Sequence, residues 1–217
     1  MAMGKRTRVL LGVGAALVVV VAGGAWLVAR GEDDFQRDAD TVRMRHLAYY
    51  AAPLEEYHDS TGHYPLQDRQ MPSLVLVAPT GTETIEGGPP FPHERVSTAA
   101  WFGEMSRVLG RRVAERYDPQ LAAVSAPNFY IYVVTPEGYW LTVHPSAANA
   151  FTQRNPGGYH EIVVTSHPQP QRAHHAATLL REPAFQRAVA TPLRRPDLFA
   201  DRERQYERAS RVTGDGE

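Results

Sequence analysis

The run from Val9 to Ala29 contains no charged residue, and after a short acidic break it passes into a helical pattern that stops at Thr61-Gly62-His63-Tyr64-Pro65. A helix rising about 1.5 Å per residue would carry such a run roughly 30 Å, the thickness of a bilayer core. Lys5, Arg6 and Arg8 precede it, and Arg30 is followed by Glu32, Asp33 and Asp34. The positive-inside bias therefore predicts a single-pass membrane anchor, with the N-terminus cytoplasmic and everything after Arg30 outside. Trp26 near the outer end suits the membrane interface. A cleaved signal peptide shares the basic start, and Ala22, Gly23, Gly24 and Ala25 offer it a cleavage site. Its apolar region is usually about 7 to 15 residues, so the longer run here favours an uncleaved anchor.

Beyond the anchor, Asp33 and Asp34 suit a helix N-terminus. Phe35, Val42, Leu47, Tyr50, Leu54 and Tyr57 then recur near one helical stripe. Pro53 inside this pattern predicts a kink or a fresh start, because proline lacks the amide donor. Gly62 predicts the helix end, and Pro65 prevents continuation. Ser73 to Ala78 reads as a short buried strand, and the glycines and prolines between Pro79 and Pro92 read as a loop. Ser97 is a plausible N-cap for a helix bearing Trp101, Met105, Val108, Leu109 and Val113, with Arg107, Arg111, Arg112 and Arg116 on the same helix. A solvated face is the simpler reading of those arginines, and an acidic-partner or lipid-headgroup patch the sharper one.

The strongest strand signal is Phe129-Tyr130-Ile131-Tyr132-Val133-Val134, turning at Pro136-Glu137-Gly138 and returning through Tyr139-Trp140-Leu141-Thr142-Val143. Alternation puts Tyr130, Tyr132 and Val134 on one face, with Phe129, Ile131 and Val133 on the other. With both faces apolar, the hairpin should be central and covered by a helix on at least one side. Glu161 to Thr165 is a third strand after the turn at Asn155-Pro156-Gly157-Gly158. After Thr165 the character changes. His167-Pro168-Gln169-Pro170 reads as a linker, Ala173 to Ala190 as a helix interrupted at Pro183, and Asp197 to Arg211 as a terminal helix.

The segment Leu54-Glu55-Glu56-Tyr57-His58-Asp59-Ser60-Thr61-Gly62-His63-Tyr64-Pro65 resembles the end of the long N-terminal helix of type IV pilins and type II secretion pseudopilins. The tyrosine-rich hairpin is similar to theirs as well. The leader departs from that family: Gly4-Lys5 and Gly24-Ala25 do not match a prepilin processing site, and no glutamate lies between Met1 and Gly31. The resemblance implies an α+β fold, in which the transmembrane helix continues into an amphipathic helix packed on a small antiparallel sheet. The packing residues are then Leu47, Tyr50, Leu54, Tyr57 and Tyr64 from the helix and its exit, with Tyr130, Tyr132, Tyr139 and Trp140 from the hairpin. Three parts follow: a tip and anchor over 1–30, a pilin-like extracytoplasmic domain over 31–166, and a C-terminal helical extension over 167–217.

Composition narrows the chemistry. The 23 basic and 24 acidic residues leave no global basic field for nucleic acid, and the absence of cysteine excludes thiolate catalysis and cysteine-zinc sites. The nine histidines show no His-Glu-x-x-His and no pair one helical turn apart. His174 and His175, adjacent on a helix, would point about 100° apart. His58, Asp59 and His63 would converge only if the turn folded back. No Gly-x-Ser-x-Gly elbow is present, and the 155–160 loop lacks the carboxylates that calcium needs. No catalytic residue, cofactor or metal is therefore assigned. What the resemblance implies is a non-catalytic role at a bacterial cytoplasmic membrane, with the domain periplasmic or extracellular: contacts with the lipid bilayer through Val9 to Ala29 and with other envelope proteins of a secretion or pilus-like assembly, with oligomerisation open. The alternative is a membrane-tethered binding domain or hydrolase whose active surface lies in the Pro79–Pro92 loop and the C-terminal helices.

Overall fold

The computed structural model describes residues 5–78, 91–120, 129–168, 173–200 and 204, with the side chains of 5–20, 22, 23 and 27 outside that description. The chain begins with one helix, α1 (Lys5–Thr61), of 57 residues. It is followed by β1 (Ser73–Val77), β2 (Glu94–Val96) and α2 (Thr98–Leu109), then by the hairpin β3 (Tyr130–Thr135) and β4 (Gly138–Val143). The last elements are β5 (Gln153–Arg154), β6 (His160–Thr165), β7 (His174–His175), α3 (Ala176–Leu179) and α4 (Pro183–Ala190).

Among the described residues no helix is long and apolar enough to cross a membrane. The transmembrane anchor expected over 9–29, and the membrane placement built on it, are corrected accordingly. A span needs about 20 consecutive apolar residues. The apolar side chains described there, Val21, Gly24, Ala25, Trp26, Val28 and Ala29, run at once into Arg30, Glu32, Asp33 and Asp34 within the same helix. Much of the remaining run lies outside the described side chains.

Pro53 does not break α1. Losing one hydrogen bond and clashing with the preceding turn costs about 3 kcal/mol, but the flanking Tyr50, Ala51, Leu54 and Tyr57 are all buried against the sheet and α2. Packing on both sides of the proline outweighs the local defect. The helix ends where the sequence indicates. Gly62 adopts φ +80°, and its N–H donates to the His58 carbonyl at 2.7 Å. A side chain at that left-handed position would be strained.

The sheet is mixed and seven-stranded, ordered β2-β1-β3-β4-β6-β5 with β7 also on β6. The expectation of a purely antiparallel sheet is corrected at two places, since β2 runs parallel to β1 and β7 parallel to β6. A parallel neighbour cannot be reached by a tight turn: about sixteen residues separate β1 from β2, and about eight separate β6 from the two-residue β7. Neither is legible locally: Glu94-Arg95-Val96 is short and mostly exposed, and two histidines do not read as a strand.

The hairpin pairs Thr135 with Gly138 across Pro136 and Glu137. Gly138 sits at φ +145°, where an added Cβ would lie 2.5 Å from the Ser166 hydroxyl. That hydroxyl accepts the Tyr139 N–H at 2.9 Å, so the missing side chain is what lets the end of β6 close on the turn. One face of the sheet carries α1, α2 and the core of the molecule, to which β1 adds Val75 and Val77. The other face gathers Leu74, Leu76, Ala78, Phe129 and Val133.

Ser97 caps α2, its side chain accepting the Ala100 N–H at 3.2 Å, and Gly110 closes the helix in the left-handed conformation at φ +62°. The helix is therefore shorter than its apolar pattern implies. Val113, Arg111, Arg112 and Arg116 lie beyond it, in an extended segment returning along α1. There the Arg116 guanidinium stacks 4.0 Å over the Tyr49 ring and Arg111 pairs with Glu56.

The segment after 167 shares the core. Ala176, Leu179 and Phe185 are fully buried in the same cluster as the α1 and hairpin tyrosines. Farther along, Phe199 stacks on Phe35 at 5.4 Å, and the Asp38 carboxylate accepts the backbone N–H groups of Arg194 and Arg195 at 3.0 and 2.7 Å. His174 and His175 form β7 and not part of a helix. Pro183, expected as an interruption, opens α4 at its first turn, where a missing N–H is no loss. Residues 196–200 are helical, and most of the terminal helix expected over 197–211 lies outside the described residues, as does most of the 79–92 loop.

Candidate functional site: the polar seam between helix and sheet

Tyrosines dominate the helix–sheet contact, and each hydroxyl has a defined partner. Tyr132 donates to the Pro65 carbonyl at 2.9 Å, tying the sheet to the helix exit. Tyr139 donates to Glu55 at 2.9 Å, and Tyr57 donates to Glu104 of α2 at 2.8 Å. The Tyr130 hydroxyl lies 2.8 Å from His46 Nδ1. The Tyr50 hydroxyl accepts the Arg116 N–H at 2.7 Å and donates to the carbonyl of the same residue. Burial pushes the hydroxyls of Tyr50, Tyr132 and Tyr139 well above the ordinary tyrosine range, so they stay protonated donors. Tyr64 packs edge-on against Tyr139, and its hydroxyl is pushed up to about 12, first by burial.

Of the residues expected at this contact, Leu47, Tyr50, Leu54, Tyr57, Tyr64, Tyr130, Tyr132 and Tyr139 come together in one buried cluster. Trp140 does not join them. Its neighbour Tyr139 faces the helix, so strand parity turns the indole to the opposite face. There it packs with the Leu74 cluster and stacks on His167 at 3.8 Å.

Deeper along α1 lies a group that the sequence reading did not single out. Arg43 is 1% exposed. Its Nε and Nη2 donate to the two Asp118 carboxylate oxygens at 2.7 and 2.9 Å. Nη1 donates to Asp40 at 2.7 Å and to Ser146 at 3.0 Å, and Nη2 donates again to Gln120 at 3.0 Å. All the guanidinium N–H donors are thus engaged. The carboxylates are held in turn, Asp40 by the N–H groups of Ser146 and Ala147 and Asp118 by that of Gln120. Burial alone would lower the Arg43 pKa; Asp118 and Asp40 overcome that and hold it above its ordinary range. The network clamps α1 to two loops, 118–120 and 146–147.

His144 borders this network. It is 5% exposed, and its Nδ1 has no hydrogen-bond partner. Burial pushes its pKa from 6.5 down to about 4, with Asp118 opposing the shift and Arg43 reinforcing it. The folded state therefore resists protonation that the unfolded chain accepts. The stabilisation is complete above pH about 6.5 and is lost as the pH falls toward 4, by roughly 3 kcal/mol in all. Urea unfolding measured from pH 7 to 4 should show this acid limb, and His144→Phe should flatten it. An unchanged pH profile in the variant would rule out His144 as the source.

Chemically this seam positions and clamps. Each arginine, carboxylate and tyrosine in it is held by another protein group. Among the described residues no group of three histidine, aspartate or glutamate side chains is placed to hold a metal ion, and His58, Asp59 and His63 do not form one. The chain matches no protein-family model, and comparisons with curated proteins and with solved structures find no match.

Proposed function

We propose that this chain is a non-catalytic interaction protein with a pilin-like domain, serving a bacterial secretion or pilus-like assembly through contacts with neighbouring chains. The observation that carries this reading is the division of α1. From about Ala39 to Tyr57 its apolar stripe is buried on the sheet. Toward the N-terminus the described side chains stand exposed, including Val21 at 64%, Trp26 at 58% and Val28 at 75%. A helix rising about 1.5 Å per residue carries this stretch well clear of the body. Two further features support the reading: the Gly62-His63-Tyr64-Pro65 exit folded onto the tyrosine hairpin, and the Arg43 clamp, which fixes the angle at which α1 leaves the domain.

The test is site-specific photo-cross-linking in the native host, with the probe at Trp26 or Ala25 and, for comparison, at Tyr159 on the exposed 155–159 turn. Discrete cross-linked partners are expected from the α1 positions and should disappear when Val21 and Val28 are changed to aspartate. Equal cross-linking from Tyr159, or partners unaffected by the aspartates, would overturn the reading.

A further inference from the structure

A cleft of about 470 Å³ opens where the end of α1 meets α2, lined chiefly by Tyr57, His63, Asp68, Arg69, Glu104 and Arg107. Its polar groups divide into used and unused ones. Glu104 accepts both the Tyr57 hydroxyl at 2.8 Å and the Leu66 N–H at 3.2 Å through one oxygen, so its charge already serves the fold. Arg69 gives one N–H to Glu94 at 2.8 Å. Arg107 and Asp68, both exposed at the rim, have no hydrogen bond or ion pair among the described residues. His63 Nδ1 lies 3.2 Å from the Tyr64 carbonyl. A carbonyl only accepts, so Nδ1 carries the hydrogen and the neutral ring keeps Nε2 as an acceptor.

The cleft thus presents guanidinium donors beside a free carboxylate and an imidazole acceptor, and because Arg69 is paired with Glu94, Arg107 and Asp68 are its uncommitted cation and anion. A bare anion would gain the arginines but also face both carboxylates. A cation meets the reverse. A ligand carrying one carboxylate and one ammonium group satisfies both sets, and the scarcity of aliphatic lining, Val108 alone, suits a ligand that is polar throughout. We propose that the cleft binds a small zwitterion of the α-amino acid class, its carboxylate between Arg69 and Arg107 and its ammonium group toward Asp68 and His63. This site is independent of the contact role of α1.

Titration of the full chain with glycine and L-alanine, read by the NMR signals of the His63 ring, tests the assignment. Saturable shifts are expected, with acetate and methylamine each binding at least about tenfold more weakly, because each meets only half of the site. Arg107→Ala and Asp68→Asn should each weaken glycine binding by about tenfold, the loss expected for one charge-assisted hydrogen bond. Both residues lie at the exposed rim, and an unchanged circular dichroism spectrum verifies that the variants fold. Glycine binding no more tightly than acetate or methylamine would overturn the proposal. So would either substitution leaving the affinity intact.

Discussion

Replacing Arg43 by methionine should destabilise the protein by roughly 3–5 kcal/mol, enough to take away a large part of a typical domain's 5–15 kcal/mol. The loss would not come from the ion pair as such, since bringing two charges out of water offsets most of what their attraction returns. It would come from what is left behind. Asp118 is 2% exposed, and without the guanidinium it keeps only the Gln120 N–H. Asp40 keeps the amides of Ser146 and Ala147 and suffers less. Asp118→Leu in the Arg43→Met background should therefore recover most of the stability, because the pair is replaced by apolar groups of similar volume. Urea denaturation of the two single variants and the double variant gives the coupling directly. A double variant no more stable than the worse single one would show that Arg43 acts through packing of its stem and not through Asp118.

The elements that local chemistry dictates were legible in the sequence, and those that depend on distant partners were not. Gly62 needed only its own conformational freedom to mark the end of α1, and Ser97 needed only a hydroxyl three residues before the Ala100 amide. The tyrosine face of β3 followed from alternation. The same rule applied to β4 separates Trp140 from Tyr139, because the two aromatic residues share their character but not their parity. Gly110 was likewise an available stop signal for α2, hidden by the apolar spacing that continues to Val113.

Arg43 is a different case. Its partner Asp118 lies 75 residues away, and an arginine on an amphipathic helix ordinarily reads as solvated. No local signal distinguishes it from Arg37 or Arg45. The parallel strands β2 and β7 escape for the same reason, since each is too short to announce itself and exists through pairing with a strand elsewhere in the chain. The apolar start of the chain shows the converse error. The uncharged length of 9–29 and its basic flank suggested a span, whereas among the described residues no helix is long and apolar enough to cross a membrane.

The C-terminal segment gives the second large effect. Phe185→Ala should cost about 3–5 kcal/mol, the range for deleting a fully buried aromatic ring. Phe185 is 0% exposed and meets Phe151 edge-on, with centroids 5.3 Å apart, inside the cluster that holds Leu47 and Tyr130. A helix merely appended to a finished domain would tolerate the change, and its exposed face would still be available for a partner. The opposite is expected here, because α4 is held to α1 at both levels: Phe185 fills the core, while Arg45 donates to the Val189 and Thr191 carbonyls at 2.8 and 2.6 Å where the helix ends. Phe199→Ala, in the smaller cluster with Phe35 and Val42, should cost about half as much, since the partly buried Phe35 and Leu193 beside it can shift into the gap. Thermal unfolding of the two variants should therefore rank Phe185→Ala well below Phe199→Ala, and both should melt in a single transition. A separate early transition in Phe185→Ala, with the tyrosine signals of the hairpin unchanged, would show instead that the segment after 167 folds as an independent appendage.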